Sequence, residues 1–176
     1  MTRERIPIPT LRGSDCFACG SNNPLGLKMQ FYCQGNKVCS DVVVEQHHVG
    51  WQNMVHGGII STLLDEIMSW TVLYFRKVFA VTRQIKVKYL RPTPVGTPLT
   101  VQGEILGETE KKAIHTSGVL LDSRGKKLAR SEAEFVILTG SRLEVLPLES
   151  RQEMELLFKH INKLQRQIKT GASSSP

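Results

Sequence analysis

The residues best suited to chemistry lie in one stretch, VHGGIISTLLDE, residues 55–66. Glycines at 57 and 58 let a substrate come close to the backbone. As the start of a helix they leave its first N–H groups free, at the positive end of the macrodipole. Such a donor, Gly57 foremost, can polarise a carbonyl and hold the charge of a tetrahedral intermediate. Asp65 adds a carboxylate, which is costly on a buried helix unless it is partnered or used. Asp65 and Gly57 are about 12 Å apart along such a helix, too far to serve one carbonyl. Two antiparallel copies of the helix about a two-fold axis would bring the glycines of each to the aspartate of the other. Glu66 is the rival carboxylate, but neighbouring helix positions point about 100° apart. Asp65 is preferred because Ser61 and Ser69 extend its seam, leaving Glu66 to a salt bridge or a rim. His56 is a candidate general base and equally a residue that positions the loop.

These groups need a scaffold, and the pattern from Val55 to Phe75 describes its centre. The segment is apolar on nearly every side, crossed by one polar seam of Ser61, Asp65 and Ser69 with Thr62 and Glu66 beside it. A helix that is hydrophobic all round is buried all round. Before it, Leu27 to Cys33 and Val38 to Val44 read as a hairpin about Gly35-Asn36. After it, Val81 to Leu90 alternates with a period of two, and 99–106, 113–121 and 126–138 follow as strands in a meander. The expected class is α+β, an antiparallel sheet of about six strands wrapped around a long central helix, plus a C-terminal helix. Residues 1–15 form an irregular lead-in, 16–139 the main domain, 149–169 an amphipathic helix and 170–176 a disordered tail. The stripe of Met154, Leu157, Ile161, Leu164 and Ile168 favours packing on its own domain over pairing between subunits.

The 176 residues suit one domain, and 40% hydrophobic with 22% charged residues argues against disorder. A formal net charge of +7 favours anionic partners. No RNP motif, zinc-finger pair or helix-turn-helix segment supports nucleic acid. The N-terminus has no apolar run fit for a signal peptide, and the Asp65-Glu66 pair argues against a membrane span, so a cytoplasmic protein is expected. Cys16-x-x-Cys19-Gly20 is similar to half of a zinc knuckle, which Cys33 and Cys39 could complete. Their spacing is not that of a second knuckle, so free or structural thiols are the favoured reading and no metal is expected. His47, His48 and His56 lack a carboxylate at ligand spacing.

VHGGIISTLLDE followed by AVTRQIKVKYLRPTPVG resembles the hotdog-fold acyl-CoA thioesterases of the phenylacetate-pathway (PaaI-like) type, in the 4-hydroxybenzoyl-CoA thioesterase superfamily. CFACGSNNPLGL is similar to the opening of one bacterial branch. The resemblance, over about 16–139, implies sites at the interface of a homodimer, dimers that often pair into tetramers, and acyl-CoA hydrolysis without a cofactor beyond the CoA of the substrate. It matches Asp65 to the catalytic base or nucleophile, Gly57 to the backbone donor, and Thr82 to a hydroxyl that places the water or the carboxylate. Relatives often carry an asparagine where this chain has Gly50, for which Gln52 or Asn53 would substitute. Gly58 would line the substrate path, and Arg83, Lys86, Lys88 and Arg91 would meet the CoA phosphates. Hydratase or dehydratase chemistry and non-catalytic acyl-CoA binding are the alternatives on the same fold.

Overall fold

Leu63, Leu64, Ile67 and Met68 are completely buried on one helix, at roughly 1.5–3 kcal/mol of hydrophobic stabilisation each. The computed structural model describes residues 4–11, 13–109 and 113–171. It contains strands β1 (Ile6–Pro7), β2 (Tyr32–Gln34), β3 (Lys37–Val43), β4 (Val49–Trp51) and β5 (Met54–Val55), then the central helix α1 (Gly57–Arg76). Strands β6 (Ala80–Tyr89), β7 (Pro98–Glu108), β8 (Ala113–Asp122) and β9 (Lys127–Ile137) follow, and helix α2 (Leu148–Gly171) ends the described chain.

Seven strands form one antiparallel sheet in the order β1-β2-β3-β7-β8-β9-β6, and it wraps α1. This is the hotdog arrangement. Helix and sheet touch most closely where Gly103 and Gly118 stand opposite one another on β7 and β8. A Cβ on Gly103 would come within 2.4 Å of Thr71 Oγ1 and 2.9 Å of the Ile67 carbonyl. Any side chain there would push the helix off the sheet.

Several details differ from the sequence reading. The four strands after the helix are not a simple meander: β7, β8 and β9 are, but β6 pairs with β9 at the far edge. The lead-in contains β1, whose Ile6 pairs with Cys33, and an edge position tolerates Pro7. Residues 27–31 are not strand; Leu27 and Met29 donate to the carbonyls of Phe17 and Ala18 instead. The loop before α1 holds the β4–β5 hairpin, turning at Gln52 and Asn53, where Asn53 adopts φ 59°. Helix α2 packs on its own domain through Leu157, Phe158 and Ile161, and Gln165 donates to the Tyr74 carbonyl near the end of α1. Of the tail expected to be disordered, 170–171 are helical and 172–176 lie outside the described residues.

Candidate functional site

Helix α1 begins at Gly57 with His56 as its N-cap. The His56 ring turns back, and its Nδ1 accepts the Gly58 N–H at 3.0 Å. That use of Nδ1 makes His56 a cap that fixes the helix entry. It also consumes the Gly58 donor, whereas the Gly57 N–H makes no hydrogen bond among the described residues. Gly57 faces an open cleft shared with His56, Trp51, Tyr89, Leu90 and Arg91.

Strand β6 runs along the helix and touches the polar seam at two levels. Near the middle of α1, Thr82 Oγ1 donates to Asp65 Oδ1 at 2.8 Å. Near its start, Tyr89 Oη donates to the Gly57 carbonyl at 3.0 Å and lies 2.7 Å from Ser61 Oγ. The seam is therefore a row of groups read by one strand. Burial raises the Asp65 carboxyl above its ordinary value, and the Thr82 hydroxyl works against that shift. A base of raised affinity for protons, oriented by one hydrogen bond, suits proton abstraction from water.

Glu66 overturns its expected role: among the described residues it is neither at a rim nor in a salt bridge. It is largely buried beneath the N-terminal loop, with Trp70 Nε1 donating to its Oε1 at 2.9 Å and Cys16 Sγ 4.0 Å from the same oxygen. Burial pushes its carboxyl up to about 7. Cys33 and Cys39 sit on β2 and β3, so among the described residues they do not join Cys16 and Cys19 in a four-thiolate set. The three histidines form no ligand group either: buried His48 has its Nε2 3.0 Å from the Leu25 carbonyl, while His47 faces Glu45.

The remaining candidates divide. Gln52 and Asn53 lie at the exposed hairpin turn and do not line the cleft at Gly57. Gly50 does, packed so tightly that a Cβ would come within 2.8 Å of His56 Cα, which explains why no larger residue stands there. Arg91 lines the cleft while donating to the Lys127 carbonyl at 2.7 Å. Arg83, at a bulge of β6, pairs with Glu134 at 3.2 Å. Lys86 and Lys88 share the outer sheet surface with Arg130 and Glu132. Sequence reasoning missed Tyr89 as a site residue, although its place on the inward face of β6 carried the signal.

Residues 52–127 match the family model described as thioesterase superfamily. A solved thioesterase superfamily protein is 26% identical, with a TM-score of 0.65, over 69% of this chain and 60% of its own. The chain therefore spans less than two thirds of that relative's length. The PaaI protein of E. coli, from the phenylacetic acid degradation operon, shares the fold at 16% identity and a TM-score of 0.58, over 65% of this chain and 82% of its own. A Streptococcus pneumoniae thioesterase solved with coenzyme A does so at 20% identity and 0.54, over 58% and 81%. No curated protein matches the chain. The matched segment is similar to the thioesterase superfamily, and the sheet-wrapped helix is the hotdog fold that these solved structures share.

Proposed function

We propose that the protein hydrolyses acyl-CoA thioesters to a free acid and CoA. The observation that carries this reading is the Asp65 carboxylate, half-buried and held by Thr82, on the same helix whose first residue offers an N–H that is unpaired among the described residues. Asp65 takes a proton from water as the water oxygen attacks the thioester carbonyl carbon. The carbonyl oxygen becomes an alkoxide that accepts the Gly57 N–H. Collapse breaks the carbon–sulfur bond, and the departing thiolate recovers a proton. Direct attack by the Asp65 carboxylate, followed by hydrolysis of the resulting anhydride, is the variant of the same chemistry.

Because the two groups are about 12 Å apart on one helix, the reading requires a second copy. The end strand β6 supports that arrangement: Val81, Tyr89 and Leu90 are exposed hydrophobic residues along it or just beyond it. A homodimer through this edge would let Gly57 of one chain meet Asp65 of the other, and pairing of dimers into a tetramer would leave the sites intact. Arg91, at the cleft, is the foremost contact for the CoA phosphates, with Arg83 and Lys88 further out. The relative solved with coenzyme A supports this ligand class.

The test is thiol release from a panel of acyl-CoAs by the wild type and by Asp65→Asn. Wild-type turnover with loss of roughly a hundredfold or more in the variant is expected, as for removal of a general base. Full activity in Asp65→Asn would remove Asp65 from the mechanism. Binding of acyl-CoA without turnover by the wild type would replace hydrolysis by a binding role.

A further inference from the structure

The proposed hydrolysis uses neither Glu66 nor the Cys16–Cys19 pair. These residues nevertheless converge: one ligand atom from each of Cys16, Cys19 and Glu66 lies within 4.8 Å of the other two. We infer that Cys16, Cys19 and Glu66 form a binding site for one borderline-soft divalent cation, zinc foremost, which fastens the N-terminal loop to helix α1.

Donor chemistry comes first. Two thiol sulfurs and one carboxylate oxygen are ligands that zinc takes, and a tetrahedral zinc sets its sulfur and oxygen ligands roughly 3.6 Å apart. The observed Cys16 Sγ to Glu66 Oε1 separation of 4.0 Å needs only a small contraction. Three protein donors leave one coordination position for water.

The turn that carries the cysteines is shaped as a ligand knuckle. The Cys16 N–H donates to Ser14 Oγ at 3.2 Å. The Gly20 N–H also closes the turn on the Cys16 carbonyl at 2.8 Å. No side chain fits at Gly20, whose Cβ would lie 2.3 Å from the Ser14 carbonyl oxygen and 2.5 Å from the Cys16 nitrogen. Lys28 braces the loop from outside by donating to the carbonyls of Gly20, Ser21 and Asn23. The donors are thus presented by a built turn, and both cysteines remain partly accessible for metal entry.

Charge completes the case. Among the described residues no arginine, lysine or histidine forms an ion pair with Glu66, and its one nitrogen donor is neutral Trp70 Nε1. A dication at the centre of the cluster would offset two of the three negative charges of the ligating thiolates and carboxylate, with the thiol protons and any proton on Glu66 released to solvent. Trp70 would then serve as the outer hydrogen bond that orients the ligating carboxylate. Cys33 and Cys39 have no part in it.

The experiment is elemental analysis of the full chain purified under reducing conditions, with Co2+ titration of the metal-stripped protein. The expected result is one zinc per chain, and with Co2+ the thiolate charge-transfer and strong visible bands of a tetrahedral site. Cys16→Ser and Cys19→Ser should abolish the charge-transfer signal, and the Cys33→Ser/Cys39→Ser double variant should keep it. Glu66→Gln should bind at least about tenfold more weakly. Wild-type protein with neither metal nor a cobalt signal would overturn the site, and unchanged affinity in Glu66→Gln would overturn its third ligand. Should the cysteine variants fail to fold, alkylation of the wild type decides: zinc should protect Cys16 and Cys19, and equal labelling with and without zinc sinks the assignment.

Discussion

Thr82 Oγ1 donates to Asp65 Oδ1 at 2.8 Å, joining the end strand of the sheet to the middle of the buried helix. The bond spans 17 residues and is the one hydrogen bond given to that carboxylate among the described residues. Removing it frees the carboxylate to rotate and leaves it without a donor. Thr82→Val is therefore expected to lower kcat by roughly 10- to 100-fold, the value of a hydrogen bond to a charged group. KM should change little, and Thr82→Ser should restore most of the rate. Steady-state kinetics of both variants decide it; equal rates in wild type and Thr82→Val would show that the bond does not orient the carboxylate.

Gly57 is a position where stability and activity should part. A Cβ there would meet Tyr89 Oη at 3.5 Å, an ordinary contact, and the backbone is helical. Gly57→Ala should keep the fold and gain up to about 1 kcal/mol from reduced chain entropy. The added methyl would obstruct approach to the N–H, so turnover should fall by roughly a hundredfold. Thermal unfolding and thiol-release assays, run together, test the split.

His56 is a cap, and a cap can be replaced by another cap. His56→Ala should cost about 1 kcal/mol by leaving the Gly58 N–H without its acceptor. His56→Asn should recover that loss, because asparagine is a strong N-cap. If the ring only caps, activity in His56→Asn should stay within a few-fold of wild type. A loss of several hundredfold with stability restored would return His56 to the catalytic list.

Helix α2 is expected to unfold with the domain rather than ahead of it. Ile161 is completely buried beside Leu157, and Lys77 Nζ donates to Gln165 Oε1 at 2.7 Å. Ile161→Ala should cost about 2–5 kcal/mol, as for other large-to-small changes in a core. Urea unfolding should show one lowered transition. An unchanged midpoint would mean that α2 contributes nothing to the stability of the sheet.

The sheet–helix contact can be tested at its closest point. Gly103→Ala would place a methyl against Thr71 Oγ1 and the Ile67 backbone, so the helix must move. A loss of roughly 1–3 kcal/mol is expected. A variant as stable as wild type would mean that helix and sheet have slack at this point.

The sequence alone determined the parts of this protein that depend on neighbours along the chain. An all-apolar face and a seam at steps of four define a buried helix, and alternation in 81–90 defines a strand, because backbone geometry fixes those periods. A glycine pair behind a histidine defined the helix start and its free donor for the same reason. Tertiary structure decided the partners. Glu66 and Asp65 are adjacent in sequence, yet one lies beneath Cys16 and Cys19, 50 and 47 residues away, and the other meets Thr82. Tyr89 closes on Gly57 because β6 pairs with β9 and so lies along α1, an order no local pattern encodes. A helix apolar on nearly every side accepts whichever strands and loops cover it best, and that choice is made by packing over the whole chain.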